Sequence, residues 1–191
     1  MSALLHKFIQ IALLREGPQE LPGLAMVLWI ALAAVFMTSL AGLLFAYPFQ
    51  GAVFRSLAAI AIPAAIIYAA LRLKDRQSRF RQCYAAICGA SAVVYALALP
   101  LMPIFFSANV STLSGKLIIV FMLLLDVWML LISAHIFRHT FEVGMATGVS
   151  LALGLMVFTL VAIESITPAS SVQPGGSADL TLSLYQPLEQ Y

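Results

Sequence analysis

The most unusual side chain in this sequence is an aspartate in the middle of a long apolar run. Asp126 lies within LIIVFMLLLDVWMLLIS, a segment long enough and apolar enough to cross a lipid bilayer as a helix. A carboxylate at that depth costs several kcal/mol unless it is protonated, hydrated or paired. Its neighbours on the same helix face include Met122, Met129, Leu130 and Ser133. No cation on that helix can pair with Asp126, so a partner must come from another helix.

Two interpretations of Asp126 follow from this position. The carboxylate is either a proton- or ion-coupling site, or a protonated structural group that forms a hydrogen bond across the helix bundle. Three hydroxyl groups from other predicted helices lie at a similar depth and are candidate partners: Ser91, Tyr95 and Thr159. The structural interpretation is favoured because the other apolar segments carry few polar residues.

A second candidate group occupies the segment HIFRHTFE. His135, His139 and Glu142 are spaced at i, i+4 and i+7, so a continuous helix would place them on one face. Two imidazoles and a carboxylate can bind zinc, which would suit a metal-dependent membrane enzyme. The segment lacks the HExxH pattern, however, and lies at a predicted membrane edge. Contact of Arg138 and the histidines with phosphate headgroups is therefore favoured over metal binding.

One strongly charged run, RLKDRQSRFR, separates two of the apolar segments. Beside a membrane, each basic residue contributes about 1 kcal/mol of attraction to anionic lipid. The run therefore predicts a determinant of topology that binds lipids or a partner protein. We call its five cations the basic cluster: Arg72, Lys74, Arg76, Arg79 and Arg81.

Small residues recur every four positions near the end of the apolar region. Gly144, Gly148 and Ala152 would allow another helix to approach closely. Packing within the chain is favoured over the alternative, a homodimer contact. Cys83 and Cys88 fit no redox or zinc pattern and are interpreted as small packing residues.

The composition of the chain predicts the kind of fold that holds these candidate residues. Of the 191 residues, 62% are hydrophobic and 9% are charged, whereas a soluble domain typically carries about 25% charged residues. The fold class predicted is an all-α membrane protein, a five-helix transmembrane bundle within residues 17–166. Pro63 is expected to kink the second span, and Pro100 and Pro103 to break the end of the third. The predicted spans are 24–46, 52–71, 83–106, 116–137 and 143–166.

The two ends of the chain lie outside these spans. Residues 1–16 have helical apolar spacing but are too short to cross, which predicts an amphipathic helix in the headgroup region. Gly17 and Pro18 are expected to end it, and the segment REGPQELPG turns the chain into the bilayer. Residues 167–191 are rich in Ser, Pro, Gly and Gln and predict a flexible tail.

The cations of the chain are distributed unequally between the two sides of such a bundle. Eight fall on the side of the N-terminus and two on the other, which by the positive-inside rule predicts a cytoplasmic N-terminus and an extracytoplasmic tail. The two on the far side are Arg55 and Lys116. The eight are Lys7, Arg15, Arg138 and the basic cluster.

Several segments together resemble a known group of proteins. LLREGPQELPG, SRFRQCYAAICGA, the prolines after the third span and HIFRHTFEVGMATG are similar to small proteobacterial inner-membrane proteins, distant relatives of the Yip-domain family. The resemblance covers most of residues 5–165. It implies a compact five-helix bundle in the bacterial inner membrane with a cytoplasmic N-terminus, and it supplies no catalytic residue.

The sequence contains no Ser–His–acid set, no P-loop and no dinucleotide-binding glycine pattern. We therefore expect a non-enzymatic scaffold or assembly factor that needs no cofactor and binds membrane lipids and a membrane protein partner, but not nucleic acid. The alternative is a small proton-coupled transporter or channel that uses Asp126. A water-filled cavity at Asp126 would favour transport, whereas a fully packed bundle would favour the scaffold.

Overall fold

The computed structural model describes residues 2–21, 24–107 and 112–166, and every regular element within these ranges is helical. Five stretches are long and apolar enough to cross a membrane: α2, α3, residues 77–106 with α4 and α5, α6, and α7. This confirms the predicted all-α fold of a multi-pass membrane protein that begins with a short helix. The predicted tail, 167–191, lies outside the described residues. The helices are α1 Ser2–Ala12, α2 Ala25–Leu43, α3 Phe49–Leu73, α4 Phe80–Ala98, α5 Met102–Ser107, α6 Leu113–Phe141 and α7 Met145–Ile166.

Helix α4 is the centre of the bundle. Half of its span is buried inside the protein, against 17–22% of each of the other four spans. It packs mainly against α2, α6 and α1, while α7 packs against α6 and α3. Its buried face is built from small residues, among them Ala86, Gly89 and Ala90, which let neighbouring helices approach closely.

The spans alternate in direction between two ends of the bundle. At one end the amide of Gln82 donates a 3.1 Å hydrogen bond to the carbonyl of Leu21, which places the start of α2 beside the start of α4. We call this the basic end, because it contains residues 72–82 and 138–144. At the far end, Gly42 of α2 lies beside Leu99, which follows α4, and Met102, which begins α5.

Helix α1 is part of the bundle and not only a surface helix. Phe8, Ile11 and Ala12 are buried, and a methyl group on Gly89 of α4 would collide with the Phe8 ring. The indole nitrogen of Trp128 in α6 donates a 2.9 Å hydrogen bond to the carbonyl of Ala12. Carbonyls in the last turn of a helix have no partner within that helix, so this bond satisfies one of them. Hydropathy could not predict this docking.

The other faces of α1 retain the amphipathic character that the sequence predicts. Leu5 and Ile9, together with Leu13 just after the helix, are exposed apolar side chains, and His6 and Gln10 lie on a neighbouring polar face. The end of the helix differs from the prediction. Leu14 rather than Gly17 adopts the left-handed conformation, with φ of 60°, and the helix ends at Ala12.

The prolines in the spans have two different effects. Helix α3 continues through Pro63, which cannot donate a hydrogen bond to the carbonyl of Ala59. The hydroxyl of Tyr84 in α4 donates to the adjacent carbonyl of Ile60, and this bond ties the two helices together at that point. After α4, residues Leu99–Leu101 form a 3-10 turn, so the predicted break is confirmed at Pro100, whereas Pro103 lies within helix α5.

Candidate functional site

A central cavity of about 360 Å³ lies among the five spans. Its walls come from α2, α3, α4, α5, α6 and α7. The volume falls near the lower end of the range typical of small-molecule sites, roughly 300–1,000 Å³. The polar residues that line it are Ser39, Cys88, Ser91, Ser133 and Thr159, together with Tyr84, Tyr95 and Asp126.

Asp126 enters this cavity from near the midpoint of α6. Its side chain stays exposed, and it forms no hydrogen bond or ion pair with any residue in the described ranges. The three hydroxyl residues predicted as partners, Ser91, Tyr95 and Thr159, all line the same cavity. None of them is bonded to the carboxylate. The sequence therefore identified the right neighbours, but the predicted hydrogen bond across the bundle is not formed.

Two of these hydroxyls have defined surroundings. The Ser91 hydroxyl contacts the Met129 sulfur at 3.8 Å, so it is already engaged by a weak acceptor. The Thr159 oxygen is buried and has no hydrogen-bond partner within the described part of the chain. An unpartnered hydroxyl on α7 and an unpartnered carboxylate on α6 therefore line one space, which leaves polar capacity for a bound molecule or water.

Helix α7 approaches α6 closely near the basic end, on one side of the cavity. A Cβ on Gly148 would lie 2.6 Å from the carbonyl oxygen of Ala134, so the two backbones are in contact there. Ala152, one turn later, is buried and already lines the cavity. Farther along α7, Met156 and Thr159 line the cavity.

These contacts show which residues of the predicted packing motif lie between helices. Gly148 and Ala152 are buried within the chain, as the favoured interpretation required, so they are not free to pair with a second copy. Gly144 is different: it is exposed and a Cβ on it would meet no atom within 4 Å. It lies before α7 begins, so its inclusion in the motif is wrong.

An ion pair that was not predicted from the sequence joins α3 to α7 at the far end of the bundle. The Arg55 guanidinium contacts both carboxylate oxygens of Glu164, at 2.6 and 3.3 Å. Arg55 is buried, with 6% exposure, and its guanidinium carbon lies 4.3 Å from the centre of the Tyr47 ring. Glu164 directly follows Ile163, which lines the cavity. The sequence does show opposite charges near the ends of two apolar spans. It does not show that these two spans are neighbours, so the ion pair could not be predicted.

A second ion-pair group lies at the basic end. Glu142 accepts hydrogen bonds from Arg76 and Arg79, each at 2.7 Å. Arg79 also reaches the Thr140 carbonyl at 3.4 Å. Glu142 adopts a left-handed conformation with φ of 56° and ends α6. The predicted spans 116–137 and 143–166 placed the connection between the last two helices at residues 138–142, but α6 continues to Phe141 and residues 142–144 connect it to α7.

The proposed metal ligands are not brought together. His135 and His139 lie edge to face on α6, with ring centres 4.6 Å apart, as their spacing predicts. Glu142 instead faces the two arginines, because the left-handed turn carries it off the helix face. Among the described residues, no group of three His, Cys, Asp or Glu side chains could hold a metal ion.

The basic cluster is divided by these contacts. Arg76 and Arg79 are half-buried and engaged by Glu142, whereas Arg72, Lys74 and Arg81 are exposed. The Lys74 ammonium also lies 5.8 Å from the centre of the Phe141 ring. The five cations were predicted to act as one group, but only three of them are exposed. Cys83 and Cys88 are both buried and free, which confirms their interpretation as packing residues.

The ion pairs of Glu142 predict how the stability of the protein depends on pH. Hydrogen bonds from Arg79 and Arg76 lower the pKa of Glu142 below its ordinary value. Its stabilising contribution is then fully present above the ordinary pKa of about 4.3, and it is lost as the pH falls through the lowered value. We expect Glu142→Gln to lower the thermal unfolding temperature modestly at about pH 7, since the carboxylate is exposed. The difference from the native protein should shrink as the pH falls through the lowered pKa of Glu142.

Asp75→Asn is the matched control for this measurement. It removes a carboxylate from the same end, at a residue with φ of 54° where asparagine is tolerated. It should show no such pH-dependent difference. A destabilisation by Glu142→Gln that persisted at low pH would contradict the ion-pair explanation.

No family model matches this chain, and neither a curated protein nor a solved structure is significantly similar to it.

Proposed function

We propose that this protein is a small proton-coupled transporter or channel in which Asp126 carries the proton. The observation that supports this most is the position of an unpaired carboxylate, near the midpoint of a span, in a cavity bordered by all five spans. Ionisable residues inside a membrane are costly and usually line solute pathways or proton relays. A cavity at Asp126 is the feature that distinguishes transport from scaffolding.

The surroundings of Asp126 argue against a purely structural carboxyl group. A structural group would be expected to form a hydrogen bond across the bundle, since unsatisfied polar groups are costly in lipid. Ser91, Tyr95 and Thr159 line the same cavity, yet none is bonded to Asp126. This arrangement leaves the carboxylate available to bind and release a proton.

The ion pairs supply a basis for access to the cavity from the two ends of the bundle. Glu142 precedes α7 and pairs with Arg76 and Arg79, and Glu164 lies near the other end of α7 and pairs with Arg55. The cavity-lining part of α7, from Ala152 to Ile163, lies between them. In our proposal, release of one pair and retention of the other open the cavity alternately toward the far end and the basic end.

The proposed location follows from charge and resemblance. Eight of the ten cations fall on the side of the N-terminus and the basic end, which supports a cytoplasmic basic end. The resemblance to Yip-domain relatives supports the bacterial inner membrane. In this orientation the Arg55–Glu164 pair lies toward the extracytoplasmic side.

A scaffold or assembly factor is the second candidate. The exposed side chains of Arg72, Lys74 and Arg81 at the basic end favour it, because they suit anionic lipid headgroups or an acidic partner protein. The capture of Arg76 and Arg79 by Glu142 reduces the charge that this surface can offer. A homodimer would need a contact other than the internally packed Gly148.

The transport proposal is tested by proton flux into liposomes that contain the purified protein and a trapped pH-sensitive dye. We expect the native protein to accelerate proton entry under an imposed gradient. Asp126→Asn keeps the shape and hydrogen-bonding capacity but cannot ionise, so its flux should fall to that of protein-free liposomes. Asp75→Asn should behave like the native protein. A native flux equal to that of protein-free liposomes, or an unchanged flux in Asp126→Asn, would contradict the proposal.

A further inference from the structure

We infer that the central cavity binds a compact hydrophobic organic cation with a single positive charge, such as a quaternary or protonated amine. The inference rests on the proposed function, since it names the class of solute for the same cavity. It follows from the charge, the wall chemistry and the small number of polar groups in the cavity.

The charge of the cavity selects the sign of the ligand. Asp126 is the one carboxylate among the described residues that line it, and no Lys, Arg or His side chain lines it. An anion would find no positive partner and would face a carboxylate in a medium where charges interact strongly. One cation would neutralise Asp126, and a second charge on the ligand would remain unpaired.

The walls suit an organic body attached to that charge. Four methionines line the cavity, and their flexible, polarisable side chains adapt to apolar ligands of irregular shape. Tyr84 and Tyr95 add two aromatic rings on α4. Aromatic faces attract ammonium groups, most strongly where water is excluded. The methionines are Met102, Met122, Met129 and Met156.

The same lining residues exclude strongly hydrated ligands. A hard metal ion such as Ca²⁺ needs about 6–8 oxygen ligands to replace its water shell. The cavity offers one carboxylate and a few hydroxyls, of which the Ser39 hydroxyl already donates to the Phe36 carbonyl and the Ser91 hydroxyl contacts a sulfur. A sugar would likewise leave many hydroxyl groups unpaired. Of these three kinds of ligand, an ammonium with alkyl substituents gives up the least bound water when it enters the cavity.

The experiment uses the full chain in lipid nanodiscs and phenyltrimethylammonium as the probe. Its neutral isostere, tert-butylbenzene, has carbon in place of the charged nitrogen, so the pair isolates the contribution of charge. Binding is measured by equilibrium dialysis, with protein-free nanodiscs subtracted. We expect the native protein to bind the cation at least about tenfold more tightly than the isostere, as expected for a desolvated charge pair. Asp126→Asn should remove this preference, and Asp75→Asn should keep it.

The outcomes separate this inference from the proposed function. Equal affinity for the two probes, no binding of the cation, or a preference that survives in Asp126→Asn would overturn the inference. If those results accompanied proton flux dependent on Asp126, only the class of solute would be wrong. Binding of the cation that depends on Asp126, without proton flux, would support the ligand class and contradict proton-coupled transport.

Discussion

Replacing Gly148 by valine should destabilise the protein, whereas the same replacement at Gly144 should have little effect. A Cβ at position 148 would lie 2.6 Å from the carbonyl oxygen of Ala134 and 3.5 Å from the backbone nitrogen of Arg138. Backbone atoms within a helix cannot move aside as a flexible side chain can, so α6 and α7 must separate. Overpacking of this kind costs about 1–3 kcal/mol.

Gly144 makes this a controlled comparison. It belongs to the same four-residue repeat, but a Cβ there meets nothing within 4 Å. Unfolding of both variants in detergent, followed by circular dichroism, measures the difference. Equal stability of Gly148→Val and the native protein would show that the two helices are not in backbone contact. Equal damage from Gly144→Val would show that the repeat matters for another reason.

Hydropathy and proline placement allowed the spans to be predicted, because each depends on a local property of the chain. A helix that crosses lipid must satisfy its own backbone groups, so apolar length alone identifies it. Asp126 could be recognised by the same reasoning, since a carboxylate within such a run is conspicuous. Even its neighbours Ser91, Tyr95 and Thr159 could be selected by depth, because depth follows from position along a span.

The contacts between spans could not be predicted in this way. Arg55 and Glu164 are separated by more than a hundred residues, and their pairing depends on α3 lying beside α7. The docking of Phe8 against Gly89 depends in the same way on α1 lying beside α4. Neighbour relations among helices arise from shape and packing, which a periodicity analysis does not contain.

Glu142 shows a different reason for an incorrect prediction. Its spacing from His135 and His139 placed it on their face only if the helix continued through residue 142. The left-handed conformation of Glu142 ends the helix at that position, and two arginines bind the carboxylate. Charge attraction between Glu142 and the basic cluster thus overrides the i+7 geometry, although both groups were visible in the sequence.

The central claim is that Asp126 faces a space that water and solutes can reach, and not lipid. Asp126→Cys in a background that carries Cys83→Ala and Cys88→Ala tests this directly, because both native cysteines are buried and Cys88 lines the cavity. The matched control is Leu124→Cys in that background. Leu124 is 61% exposed on α6 and does not line the cavity, so it faces lipid in a membrane.

The measurement is the rate at which a membrane-impermeant cationic thiosulfonate modifies each cysteine in nanodiscs. Such reagents react with the thiolate, which forms only where water or a polar environment is present. We predict that the cysteine at position 126 reacts at least about tenfold faster than the one at position 124, since thiolate formation requires hydration. Equal, slow rates at the two positions would contradict an accessible cavity at Asp126, and with it the proposed transport.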